Sequence, residues 1–222
     1  MEKLLTFVVP VYNTEKYVIR ALSSMISNKA NVVVVDDGSD EQKIFNQIKC
    51  ECEIIHNEIN QGKGMALKRG LEYILKKYTN LVGIITADAD GQHLSSDIIK
   101  VKNELIKNKD SIILGIRNFD QKGVPIRNKL GNKIMNYIFK LKTGVILKDT
   151  QTGLRGFPYR YVKELINIDG KRFEYEINVL NYFANKTTIK EVKMRTIYTN
   201  DIKTNFKPLR DSINIILNFI RN

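Results

Sequence analysis

Two aspartates set one residue apart, Asp88 and Asp90 in Thr86-Ala87-Asp88-Ala89-Asp90-Gly91-Gln92-His93, have the spacing most suited to chemistry. They follow the apolar run Leu81-Val82-Gly83-Ile84-Ile85, long enough for a buried strand and too short for most helices. Alternate side chains of a strand share a face, so both carboxylates point the same way where the strand runs out. Like charges placed together repel unless protons or a cation relieve them. Magnesium typically takes one or two carboxylates plus substrate phosphates. The spacing therefore predicts a divalent-ion site, against the plainer reading of two solvated aspartates in a turn.

The elements that would position this pair alternate along the chain. Residues 5–12 and 31–35 read as buried strands, and a third centres on Ile54-Ile55. Helical spacing covers residues 15–27, where Val18, Ala21, Leu22, Met25 and Ile26 share a face, and residues 65–78. Such alternation predicts an α/β fold, a mostly parallel sheet flanked by helices on both faces. Ligands of these sheets bind outside the carboxyl ends of the strands. Tyr12, Asp37 and the Asp88/Asp90 pair all fall at such ends. Downstream, residues 95–108 predict a helix and 111–115 a strand. Residues 118–124 form a loop, and 149–157 are dense in polar and turn residues. Residues 127–142 carry Leu130, Ile134, Ile138 and Leu141 at helical spacing, and 190–196 read as a late strand.

Competing chemistries lose support on simple grounds. A dinucleotide-binding turn needs glycines after the first strand, and residues 13–19 contain none. Gly62-Lys63-Gly64 lacks the Lys-Ser/Thr ending of a phosphate loop. Two closely spaced cysteines, Cys50 and Cys52, and two histidines, His56 and His93, make a poor zinc set. They point instead to a reducing, cytoplasmic setting. No signal-peptide pattern opens the chain and no run reaches the ~18 apolar residues of a membrane span.

Charge is unevenly placed. Residues 1–94 hold 11 lysines and arginines against 12 acidic residues, whereas residues 95–222 hold 25 against 12. The excess of +12 thus lies downstream of the aspartate pair and favours an anionic partner. Nucleic acid is not expected, because no basic run is interleaved with aromatic residues. Residues 209–220 form an apolar band next to Lys203, Lys207, Arg210 and Arg221. That band suits either docking on the domain or resting on anionic lipid.

Four motifs in order carry a family resemblance: Val9-Pro10-Val11-Tyr12-Asn13, Val35-Asp36-Asp37-Gly38-Ser39, Asn60-Gln61-Gly62-Lys63-Gly64 and Asp88-Ala89-Asp90-Gly91-Gln92-His93. Together they resemble the family-two glycosyltransferases. Asp149-Thr150-Gln151-Thr152-Gly153-Leu154-Arg155 and Phe173-Glu174-Tyr175-Glu176 are most similar to the dolichyl- or polyprenyl-phosphate sugar transferase branch. The resemblance implies a GT-A domain over residues 1–200 followed by a basic, amphipathic segment over 201–222. It implies a nucleotide-sugar donor, UDP- or GDP-linked, held by Pro10, Tyr12, Val35, Asp37, Asp88 and Ala89. Asp88, Asp90 and Gln92 would hold Mg2+ or Mn2+, with Asp90, Arg117 and Arg127 carrying the transfer. The acceptor would be polyprenyl phosphate or, alternatively, a glycan hydroxyl. The chain departs from its relatives at Thr14, where glutamate is common, and at Thr204-Asn205, where they carry Ser-Lys.

The acceptor determines whether a base is required. A hydroxyl must lose a proton, and Asp149 or Glu174 would take it. A lipid phosphate is already an anion, and arginines that locate it suffice. The basic second half favours the phosphate and peripheral contact with an anionic membrane at its cytoplasmic face.

Overall fold

The computed structural model describes residues 5–13, 15–26, 30–41, 43–48, 51–121, 124–195, 215–217 and 219. Seven strands form one sheet: β1 (Leu5–Val11), β2 (Asn31–Asp36), β3 (Glu53–His56), β4 (Gly83–Thr86), β5 (Ile112–Ile116), β6 (Arg155–Pro158) and β7 (Ile189–Lys193). Their order is β3-β2-β1-β4-β6-β5-β7. Helices α1 (Glu15–Ile26), α2 (Lys43–Ile48), α3 (Lys63–Lys77), α4 (Ser95–Lys107), α5 (Ile126–Thr143), α6 (Val162–Asn167) and α7 (Glu174–Phe183) flank it.

The central strands are rich in Val and Ile because both faces are covered. Their period of two divides the core cleanly. Val8, Val33, Val35, Ile84, Ile112 and Leu114 pack with α3, α5, α6 and α7. Phe7, Val9, Val32, Val34, Ile85 and Ile113 face α1, α2 and α4. The sheet is parallel except at β6, which runs antiparallel to both β4 and β5. The sequence pattern alone reads as a turn here, because Arg155 and Gly156 interrupt the apolar character of the strand.

Two further findings refine the expected elements. In α5 it is Met135 and Phe139 that enter the core, while Leu130, Ile134 and Leu141 lie exposed. Of the apolar band over residues 209–220, the described Ile215 and Phe219 are buried, and the Phe219 ring stacks on Phe139 with centroids 5.9 Å apart. The domain boundary expected at residue 200 lies outside the described residues. Among the described residues, no helix is long and apolar enough to cross a membrane.

Neighbouring parallel strands β1 and β4 mark the place where the chain order reverses, since β2 and β3 extend from the other side of β1. Connections leave such a point in opposite directions and open a crevice at the strand ends. Tyr12 follows β1 and the aspartate pair follows β4, so both flank it.

Candidate active site

The ends of β1 and β2 are tied together first. Asn13, with φ of 50°, accepts a hydrogen bond from the Asp40 N–H at 2.9 Å and returns one from its amide to the Asp40 carboxylate at 2.9 Å. The Asn13 N–H donates to the Ser39 hydroxyl. Buried Asp37 then reaches across to the loop before α3. Its Oδ1 accepts from Asn57 Nδ2 at 2.8 Å and the Gln61 N–H at 2.9 Å, and its Oδ2 accepts from the Gly62 N–H at 2.7 Å. Gly62 has φ of +102°, a conformation that suits glycine, and it turns the chain into α3.

Lys63, the first residue of that helix, reaches the aspartate pair. Its Nζ lies 2.7 Å from Asp88 Oδ1 and 2.7 Å from Glu176 Oε2 on α7. Asp88 also faces His93, with Nε2 at 3.9 Å. Burial disfavours the Asp88 carboxylate, but Lys63, His93 and Arg117 together outweigh it and lower the group from 3.8 to about 2. Lys63 loses solvation too, yet its two carboxylate neighbours raise it above its ordinary value. Asp90 behaves oppositely. Burial, and then the Asp88 charge, push it upward, although the Gln92 N–H donates to its Oδ1 at 2.9 Å.

The floor of the site is Gly153. The Thr86 hydroxyl donates to its carbonyl, and a Cβ placed there would collide with the Asp88 carboxylate. Gly153→Ala is therefore expected to displace Asp88 and cost about 1–3 kcal/mol, typical of overpacking. A melting curve checks the cost, and calorimetric titration with a nucleotide sugar should show weakened binding. Arg155, fully buried, holds this loop by donating to the carbonyls of Thr150, Thr152 and Glu176.

The expected site residues thus separate into groups. Asp37, Asp88, Asp90 and the Gln92 backbone meet at the strand ends. Lys63 and Glu176 join them; both lie in the motifs that carry the family resemblance, but neither is among the residues expected at the site. A charge between two glycines is the available signal for Lys63. Ala89 is buried, and Val35 is enclosed beneath α3 with no side-chain surface exposed. Pro10 and Tyr12 are half-buried at the end of β1. Arg117 and Asp149 pair with each other, Nε to Oδ2 at 2.8 Å and Nη2 to Oδ1 at 2.9 Å. Arg127 is exposed in the first turn of α5. Glu174 accepts from the N–H groups of Lys171 and Arg172.

A divalent ion fits this chemistry. The Asp90 carboxylate is under strain from burial and from Asp88, and the buried His93 Nε2 has no hydrogen-bond partner among the described residues. Among those residues no group of three or more His, Cys, Asp or Glu side chains could hold a metal unaided. An ion here would complete its shell with substrate oxygens and water.

Carboxylates at the reversal point of such a sheet mark the crevice where ligands of α/β folds bind, and comparison with known proteins gives the family. The chain belongs to glycosyl transferase family 2, whose model matches residues 6–166. It is 31% identical to the UDP-N-acetylglucosamine–dolichyl-phosphate N-acetylglucosaminyltransferase of Methanococcus voltae, over 89% of this chain and 87% of that one. An uncharacterized protein of Methanocaldococcus jannaschii is 33% identical over 86% of this chain and 81% of its own. In structure it is similar to glucosyl-3-phosphoglycerate synthase from Mycobacterium tuberculosis, solved with Mg2+ and UDP. The TM-score is 0.73 at 16% identity, covering 99% of this chain and 79% of that one.

Proposed function

We propose that this glycosyltransferase moves a hexose from a UDP- or GDP-linked donor to a polyprenyl or dolichyl phosphate, with inversion, at the cytoplasmic face of a membrane. The observation that carries the acceptor is the state of the two carboxylates a hydroxyl would need. Asp149 is engaged on both oxygens by Arg117, and Glu174 is held through its Oε1 by two backbone N–H groups. Both Asp149 oxygens already accept guanidinium N–H bonds, which orient the carboxylate towards Arg117 and not towards a hydroxyl. A phosphate acceptor needs none. The named acceptor of the Methanococcus voltae relative is also dolichyl phosphate.

In this reading an acceptor phosphate oxygen attacks the anomeric carbon from the face opposite the diphosphate. The carbon–oxygen bond to the diphosphate breaks, and its electron pair stays with the departing oxygen. Pro10, Tyr12 and Ala89 frame the nucleoside; the enclosed Val35 offers it no side-chain surface, and Asp37 acts through the loop it anchors, which fixes Lys63 beside the diphosphate. Asp88 and Asp90, with Gln92, would hold Mg2+ or Mn2+, which when bound supplies Lewis-acid stabilisation of the leaving charge. Arg117, oriented by Asp149, and Arg127 meet acceptor or donor phosphate. Their planar forks suit bidentate contacts that lysine does not reproduce.

Labelled UDP- and GDP-sugars incubated with polyprenyl phosphate, or with an oligosaccharide, test the assignment. Label is expected in the organic phase with lipid phosphate present. Label confined to the oligosaccharide would overturn it.

A further inference from the structure

Helix α5 shows apolar side chains on two faces. Met135 and Phe139 fill the core. Facing away from them, Ile126, Leu130, Ile134, Tyr137 and Leu141 are 85%, 56%, 45%, 62% and 69% exposed. At about 100° per residue these five fall within an arc of about 80° running the length of the helix. A helix whose work ends at the core carries polar residues on its outer side. A continuous apolar stripe there marks a surface that meets something else.

The charges beside the stripe indicate what that is. The sequence of α5, Ile-Arg-Asn-Lys-Leu-Gly-Asn-Lys-Ile-Met-Asn-Tyr-Ile-Phe-Lys-Leu-Lys-Thr, contains five basic residues and no acidic one. Lys129, Lys133 and Lys140 line one margin, and Arg127 opens the other. Lys129 pairs with the exposed Asp120 at 2.8 Å, and Lys142 is engaged by the Phe219 carbonyl and ring. The balance of this face stays positive. Two copies joined through it would set these cations against each other, which disfavours a symmetric dimer. Nucleic acid would leave the central stripe in water. An anionic bilayer satisfies both parts: acyl chains take the stripe and headgroups take the lysines. Tyr137 has the amphipathic ring found at membrane interfaces.

We infer that α5 lies flat on an anionic lipid surface, its Ile126–Leu141 stripe inserted among the acyl chains and its lysines among the headgroups. Combined with the proposed acceptor, on which this part of the inference rests, that docking sets Arg127 at the depth of a polyprenyl phosphate headgroup.

Co-sedimentation of the full chain with phosphatidylcholine vesicles, with and without about a third phosphatidylglycerol, tests it. Wild type is expected to partition onto the anionic vesicles. The triple variant Leu130→Ser, Tyr137→Ser, Leu141→Ser, altered at exposed positions only, should lose about tenfold or more while melting as wild type does. Because the chain has no tryptophan, Tyr137→Trp supplies a single probe. Its emission should shift to the blue on anionic vesicles and be quenched by brominated lipid. Undiminished binding by the triple variant, or indole emission from Tyr137→Trp that vesicles leave unchanged, would overturn the inference. So would loss of self-association, without change in vesicle binding, since that assigns the face to a second copy. Vesicle binding without lipid-phosphate turnover would sink the acceptor and leave the docking face standing. Turnover in detergent with no vesicle binding would do the reverse.

Discussion

Asp90→Asn is expected to lower turnover by about 10²–10³-fold, the usual effect of removing one preorganised group that stabilises developing charge. The asparagine keeps the shape of the side chain and removes its negative charge, so the loss reports electrostatics. Stability should move the other way. Burial and Asp88 raise the Asp90 pKa in the folded state, so its ionised form opposes folding at neutral pH. Without divalent ion the variant should therefore melt no lower than wild type. Release of nucleoside diphosphate, followed across a manganese or magnesium titration, measures the first effect. Wild-type turnover in this variant would remove Asp90 from the reaction.

Lys63→Met is expected to damage stability as well as activity. It leaves Asp88 and Glu176 facing a neutral side chain in a poorly solvated place, and breaking such a buried pair costs about 3–5 kcal/mol. The pH profile separates this from ordinary loss of packing. In the metal-free wild type, Asp88 is depressed from 3.8 to about 2, so its contribution is complete above about pH 4. That contribution fades as pH falls towards 2. Lys63 is raised, so its contribution is complete below its ordinary value of 10.5 and is lost as pH rises beyond it. In the variant the stranded Asp88 carboxylate takes up a proton more readily, and acid relieves it. The gap between variant and wild type in urea unfolding should narrow as pH drops from 7 to 4. A gap constant with pH would mean that Lys63 acts through packing alone.

Some of this is legible in the sequence for identifiable reasons. Strands covered on both faces become continuous apolar runs, so β1, β2, β4 and β5 stand out from residue order alone. Asp88 and Asp90 are readable because a two-residue period places them together. Lys63 and Glu176 are separated by 113 positions, and their meeting depends on how α3 packs against α7. No local pattern contains that. Arg155-Gly156 hides β6, since a buried arginine satisfied by three carbonyls looks from sequence like a surface charge. In α5 the apolar spacing is visible, but not which of its two greasy faces points inward.

The position of β6 bears on how the molecule comes into being. β4 and β5 leave the ribosome as near neighbours but do not pair; the gap between them is filled by Arg155–Pro158. Until that segment emerges, the nascent sheet presents two raw inner edges, open to mispairing with other chains. Completion of the sheet thus waits for a part made some 40 residues after β5. Because Arg155 also carries the loop beneath Asp88, the last central strand to be added is the one that assembles the floor of the candidate site.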